Sequence, residues 1–212
     1  MYSERLTAGF DKASKLHAGH PRKGIGTPYL AHLLGVASFV IEYGGDENDV
    51  IAAMLHDAVE DCGGLPTLDE IRRDFGDIVA ETVAQCSDSI TEDAGNKPEW
   101  IDRKRAYVAS VPGKADRARF VTTCDKLHNA SAILNDHRLG TAADGSTVWD
   151  RFGGKSREQV VAYYTAMVAV LEGRVNAGLW SRLADTVSAL EAGLDPHEHS
   201  EWLAKLQVPV PA

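Results

Sequence analysis

The sequence predicts an all-α fold, and three observations carry that prediction. Apolar residues recur at helical spacing along most of the 212 residues, no stretch sustains the apolar/polar alternation of a half-buried strand, and capping residues and glycines bracket the periodic segments. Thr27-Pro28 places an N-cap residue before a proline at the first helical position. The apolar face of Leu30, Leu33, Leu34, Ala37 and Val40 follows and runs to Gly44-Gly45. A second helix starts near Asp46, carries Val50, Ile51, Ala53, Met54 and Leu55, and is expected to continue through His56-Asp57-Ala-Val-Glu60-Asp61 to Gly63-Gly64. Thr67-Leu-Asp-Glu70 reads as a capping box opening a helix to Phe75-Gly76, and another follows from Asp77 to about Asp88. Residues 89–98 have turn chemistry and are expected to form a loop. Helices are expected at 99–111 and 114–137, a glycine-rich loop at 138–154, and two or three helices within 155–206.

Length and composition allow one domain over residues 1–212, with 44% hydrophobic and 25% charged residues. The net charge of -9 argues against a surface built to hold a nucleic acid, although a pocket for a small phosphorylated ligand needs only a few local cations. Cys62, Cys86 and Cys124 are odd in number and widely spaced, so neither a disulfide framework nor a cysteine zinc site is expected. No window approaches eighteen uninterrupted apolar residues, and the first ten residues lack the apolar stretch of a signal peptide. The expectation is a cytoplasmic protein that spans no membrane; oligomeric state is left open.

His56-Asp57 and Glu60-Asp61 set an imidazole and three carboxylates among alanine, methionine, leucine and valine. Desolvating such groups is costly unless each has a partner, and a cation is the simplest one. Glu60 and Asp61 lie three and four residues after Asp57, one helical turn along. His32 and Asp125, each beside an apolar stretch, are the candidates to complete a set of two imidazoles and two carboxylates. Such a mixed nitrogen and oxygen set suits Mn²⁺, Fe²⁺ or Zn²⁺, with manganese preferred here.

His32, His56-Asp57 24 residues later and Asp125 68 residues after that match the H…HD…D signature of the HD-domain superfamily of metal-dependent phosphohydrolases. Flanking residues resemble, more narrowly, the alarmone hydrolase domain of the RelA/SpoT family. They are His17-Ala-Gly-His-Pro-Arg22-Lys23, Gly26-Thr-Pro-Tyr29-Leu-Ala-His32, Ala-Met-Leu-His56-Asp57-Ala-Val-Glu60-Asp61, Phe75-Gly-Asp-Ile-Val-Ala80 and Cys-Asp125-Lys126-Leu-His-Asn129, spread over residues 10–135. Without the synthetase and regulatory domains of the long family members, the chain is similar to the stand-alone small alarmone hydrolases of the metazoan SpoT-homologue type.

The resemblance implies a helical bundle with the metal held by His32, His56, Asp57 and Asp125, and release of pyrophosphate from the ribose 3′ position of guanosine tetra- or pentaphosphate. Glu60 and Asp61 would orient water and handle protons. Arg22 and Lys23 would face the guanosine, and Lys126, Asn129 and the basic run from Arg103 would meet phosphate or ribose. Tyr29 and Tyr163 or Tyr164 are candidates to line the pocket, and His17, His20 and His128 would support it. His20 stands where the family usually has glutamine, and Ala130-Ser131-Ala132 departs from the arginine and following polar residue common there. Two alternatives therefore stand beside this reading: an HD phosphohydrolase acting on another nucleotide, such as a deoxynucleotide or NADPH, or a module that binds alarmone without turnover.

Overall fold

The computed structural model describes residues 3–22, 26–87, 98–142 and 144–206. Their regular backbone is helical, in the order α1 (Glu4–Leu16), α2 (Leu30–Glu42), α3 (Glu47–Leu55), α4 (Ala58–Asp61), α5 (Gly64–Phe75), α6 (Asp77–Cys86), α7 (Trp100–Ser110), α8 (Asp116–Leu139), α9 (Arg157–Leu171), α10 (Ala177–Glu191) and α11 (Pro196–Lys205). Short 3-10 turns occupy Val111–Gly113 and Val148–Phe152. Among the described residues the strand-like pairing is one isolated bridge between Pro21 and Pro28, and no helix is long and apolar enough to cross a membrane. The all-α expectation is met. The expected loop at 89–98 lies almost wholly outside the described residues.

Caps explain where several helices begin. Ser3, Asp46, Ser156, Asn176 and Asp195 each accept a backbone N–H of the first turn, and Asp46 forms a full capping box with Asp49. Three starts or stops differ from the sequence reading. Helix α2 begins at Leu30 because Arg22 N–H donates to Thr27 O and Tyr29 N–H to His20 O, which holds Thr27 and Pro28 in a returning turn instead of a cap. Thr67 lies inside α5, where its hydroxyl donates to Cys62 O at 2.6 Å. The expected continuous helix through residues 46–61 is broken at His56-Asp57, and Ala58–Asp61 resumes as a separate turn.

The chain divides into two compact units, one of residues 1–99 and 114–125, the other of residues 100–113 and 126–212. In the first, α3 is buried along Val50, Ile51, Ala52, Ala53, Met54 and Leu55, apolar around its circumference as a central helix must be. It packs against α1, α2 and α6. Gly9 permits the approach of α1, since a methyl group there would stand 3.2 Å from both Ile51 and Met54 side chains.

A charged clamp fixes the direction of α8 against α3. Arg117 donates to Asp49 at 2.7 Å and to Asp46 at 2.6 Å, joining the starts of the two helices. His56 lies seven residues beyond Asp49, and Asp125 eight beyond Arg117. At 1.5 Å per residue both are about 11–12 Å from the clamp, so two helices running the same way bring them level.

In the second unit α9 packs on α10 and α11. Val160, Val161, Met167 and Leu171 are buried, as are Leu179, Leu183, Val187 and Leu190 of α10. Arg157 donates to Leu190 O at 3.0 Å and Ala192 O at 2.7 Å, serving the last carbonyls of α10.

Two stability measurements follow from this packing. A Cβ at Gly45 would overlap Val40 Cγ1 and stand 2.9 Å from Val40 O, so Gly45→Ala should lower the free energy of urea unfolding by about 1–3 kcal/mol; an unchanged midpoint would show that the turn is not this tight. The second concerns the clamp. Hydrogen bonding from Arg117, more than any other contact, lowers the Asp46 pKa from 3.8 to about 2. A depressed carboxylate pKa contributes stability above 3.8 that is lost as the pH falls towards 2. The stability gap between the wild type and Arg117→Gln should therefore be full at neutral pH and narrow across that acid window, and a gap constant with pH would contradict the clamp.

Candidate metal centre

Four side chains from α2, the α3–α4 junction and α8 converge within the first unit. His32 is the third residue of α2 and is 1% exposed; His56 and Asp125 are also buried, and Asp57 is partly open. His32 Nε2 lies 3.6 Å from Asp57 Oδ2 and 3.3 Å from Asp125 Oδ1, and His56 Nε2 lies 3.0 Å and 3.6 Å from the same two oxygens. The break in the helix is what permits this. On a continuous helix successive side chains diverge by about 100°, whereas here His56 caps the end of α3 and Asp57, at φ −97° and ψ −4°, caps the start of α4.

The tautomer of His56 decides what the cluster needs. His56 Nδ1 lies 2.7 Å from Ala53 O, which can only accept, so Nδ1 carries a proton and, in the neutral ring, Nε2 presents a lone pair. Among the described residues that buried Nε2 makes no hydrogen bond, although carboxylate oxygens stand close by. Lone pairs facing lone pairs in a buried site repel unless positive charge lies between them. Burial opposes charge on His56, but the Asp57 and Asp125 carboxylates outweigh it and raise its pKa well above the ordinary imidazole value, so without a metal ion a proton on Nε2 is the positive charge they draw. Burial likewise works against the Asp57 carboxylate, yet the facing imidazoles hold its pKa well below the usual range. Both shifts express one demand for a cation.

The donor set fits a divalent ion. His32, His56 and Asp57 each offer a ligand atom within 4.8 Å of the others. Bonds of about 2.0–2.2 Å give edges from about 3.0 Å at a right angle to about 3.5 Å at a tetrahedral one, and the measured separations of 3.0–3.6 Å span that range.

Tyr29, at the start of α2 and expected from the sequence to line the pocket, supports Asp57 instead. Its hydroxyl donates to Asp57 Oδ2, and burial together with the Asp57 charge raises its pKa, so the phenol stays a donor. The His17 ring stacks on Tyr29 at 5.0 Å between centroids and 22° between planes. Burial lowers the His17 pKa to about 4, which keeps this imidazole neutral.

The remaining predicted residues fall in different places. Glu60 and Asp61 occupy the α4 turn, half-buried and exposed, with Asp61 N–H donating to Asp57 O at 3.0 Å. Arg22 is half-buried beside the Pro21–Pro28 bridge, and Lys23 lies outside the described residues. Lys126, Asn129 and Arg103 belong to the second unit. There, Lys126 Nζ stands 5.2 Å from the Tyr107 ring and 5.9 Å from the Tyr163 ring, and Lys104 Nζ stands 5.0 Å from Tyr163. The buried Tyr163 hydroxyl makes no hydrogen bond among the described residues. Arg105 is held by Asp102 and by Lys205 O. Ala130 is fully buried, so the departure from the family pattern at that position faces the core.

Comparison with known proteins agrees with this arrangement. A family model described as "HD domain" matches residues 10–157. The guanosine-3′,5′-bis(diphosphate) 3′-pyrophosphohydrolase of Homo sapiens is 36% identical over 128 residues, covering 59% of this chain and 67% of that protein. Its Xenopus tropicalis counterpart is 36% identical over 171 residues, covering 80% and 78%. A solved structure, reported as a metazoan orthologue of SpoT that hydrolyses ppGpp, superposes with a TM-score of 0.69 at 25% identity, covering 89% of this chain and 96% of that one. Matched over well more than half of its length, with four converging side chains of the expected types, the chain belongs to the HD-domain family.

Proposed function

We propose that this protein is a metal-dependent 3′-pyrophosphohydrolase that converts guanosine 3′,5′-bis(diphosphate), or the corresponding pentaphosphate, to GDP or GTP and pyrophosphate. The observation that carries the proposal is the buried His56 Nε2 lone pair set against two carboxylates, in a chain similar to proteins named for that reaction. His32, His56, Asp57 and Asp125 would hold the ion, with Mn²⁺ proposed for its match to two imidazoles and two carboxylates. Bound there, a divalent ion supplies an acidified water and neutralises phosphoryl charge.

The chain's own residues divide the rest of the work. Glu60 and Asp61, on the turn after Asp57, would accept the proton of the attacking water and return one to the ribose 3′ oxygen as the phosphoester bond breaks. Tyr29 fixes the orientation of Asp57 through its hydroxyl. Arg22 and Lys23 would meet the guanosine end. Lys126, Asn129 and Arg103 would meet phosphate and ribose, and the buried Tyr163 hydroxyl, without a hydrogen-bond partner among the described residues and on a ring that Lys104 and Lys126 approach, supports a polar ligand in that unit. We read residues 1–212 as one hydrolase module, as the family match running from 10 to 157 through both units supports, and propose a cytoplasmic location.

The deciding experiment offers purified protein a panel of nucleotides with the divalent metal varied. Pyrophosphate released from guanosine tetraphosphate is the expected result. Orthophosphate from NADPH or a deoxynucleotide would replace the substrate assignment, and binding without turnover would make the chain an alarmone-binding module. Asp57→Ala and Asp125→Ala should abolish turnover while leaving the circular dichroism helical; full activity in either would refute the ligand assignment. Glu60→Gln should lose about 10²–10⁴-fold in kcat with manganese content unchanged, as removal of a proton-handling group requires. Tyr29→Phe, which deletes only the donor to Asp57, should weaken metal binding by about 10–100-fold in a metal titration.

A further inference from the structure

We propose that His17, His20 and Cys62 form a second metal site, separate from the His32, His56, Asp57 and Asp125 set, that takes Zn²⁺ through two imidazole nitrogens and the Cys62 thiolate and leaves a fourth position to water. The three residues come from the turn after α1 and the end of α4, and each offers a ligand atom within 4.8 Å of the others. His17 Nδ1 lies 3.4 Å from His20 Nδ1, and Cys62 Sγ lies 3.7 Å from His17 Nδ1. With Zn–N of about 2.05 Å and Zn–S of about 2.3 Å, a tetrahedral ion has edges of about 3.3 Å between nitrogens and about 3.6 Å between nitrogen and sulfur. The two measured edges match.

The backbone holds this group in place without the ion. His17 is the C-cap residue of α1, its N–H donating to Ala13 O at 3.1 Å. His20 N–H donates to His17 O at 3.1 Å, and the turn between them passes through Gly19 at φ +77°, a conformation that favours glycine. Tyr29 N–H then anchors His20 O at 2.8 Å. On the other arm Cys62 N–H donates to Ala58 O at 2.9 Å, and its own carbonyl accepts from Thr67 at 2.6 Å. His17 is buried, Cys62 half-buried and His20 exposed, so the group has a rigid floor and an open side through which an ion can enter.

Chemistry separates the two sites. A thiolate with two imidazoles selects a soft or borderline ion such as Zn²⁺, whereas imidazoles with carboxylates accept the harder Mn²⁺. Zinc binding would displace the Cys62 thiol proton to solvent and replace the weak contact that the thiol makes with Leu16 O at 3.4 Å. The second site also touches the first. His17 stacks on Tyr29, which bonds Asp57, and Cys62 directly follows Asp61. An ion there would stiffen both the Tyr29 support and the α4 turn.

Cobalt reports on the site independently of catalysis, because a thiolate ligand gives Co²⁺ a near-ultraviolet charge-transfer band that imidazole and carboxylate ligands do not. With manganese at the first centre followed by electron paramagnetic resonance, the wild type should show that band and bind one equivalent of Zn²⁺ beyond any that displaces manganese. Cys62→Ser should lose the band and weaken zinc binding by more than about 100-fold, since removing a ligand costs more than removing a supporting hydrogen bond. His20→Gln should weaken zinc binding while retaining the thiol, and both variants should still bind manganese. Asp57→Ala should keep the band, which separates failure here from failure of the catalytic assignment. Absence of the band in the wild type, or equal zinc binding by wild type and Cys62→Ser, would reduce the group to a hydrogen-bonded cluster and overturn the proposal.

Discussion

The need to place positive charge between a buried imidazole lone pair and two carboxylates governs this structure. His56 cannot satisfy Nε2 by turning, because its other nitrogen is committed to Ala53 O one turn back. Asp57 cannot move away without giving up Tyr29. Burying polar groups without partners costs several kcal/mol each in an apolar setting, so the arrangement makes sense as the protein half of a site whose other half is a cation. The rest of the first unit can be understood as the framework that holds these groups against their mutual repulsion.

That framework relies on a buried helix and a clamp. Helix α3 is enclosed on all sides by α1, α2 and α6, which leaves His56 at its end little freedom. Arg117 sets α8 in register with α3, so that Asp125 arrives level with His56 two turns later. Because the clamp is a pair of ion pairs at a capping box, it is both a helix start and a positional device. The helix break at His56-Asp57 is the third part: it lets adjacent residues address one point, and the α4 turn after it carries Glu60 and Asp61 alongside.

Much of this was legible in the sequence, and the parts that were not have physical reasons. Helical periodicity with capping residues located most helices within a few positions, and the four metal-binding candidates could be named because imidazoles and carboxylates among apolar residues are conspicuous. The break at Asp57 was hidden, since the run Ala-Met-Leu-His-Asp-Ala-Val has good helical propensity and only tertiary packing interrupts it. Thr27-Pro28 and Thr67 carry genuine capping chemistry, yet long-range bonds to the 20–22 segment and to Cys62 O take precedence. The His17, His20 and Cys62 group was invisible to spacing because Cys62 lies 42 residues beyond His20 and is brought to it by the fold. Tyr29 looked like a pocket or core residue, and only its hydroxyl's partner reveals the role.

The most direct test of the central claim is to locate the ion itself. Crystals of the protein grown with Mn²⁺, measured on both sides of the manganese absorption edge, should give an anomalous peak bounded by His32 Nε2, His56 Nε2, Asp57 and Asp125, with His56 Nδ1 still bonded to Ala53 O. Manganese found elsewhere, or those four side chains closed on one another with no anomalous density between them, would contradict the account.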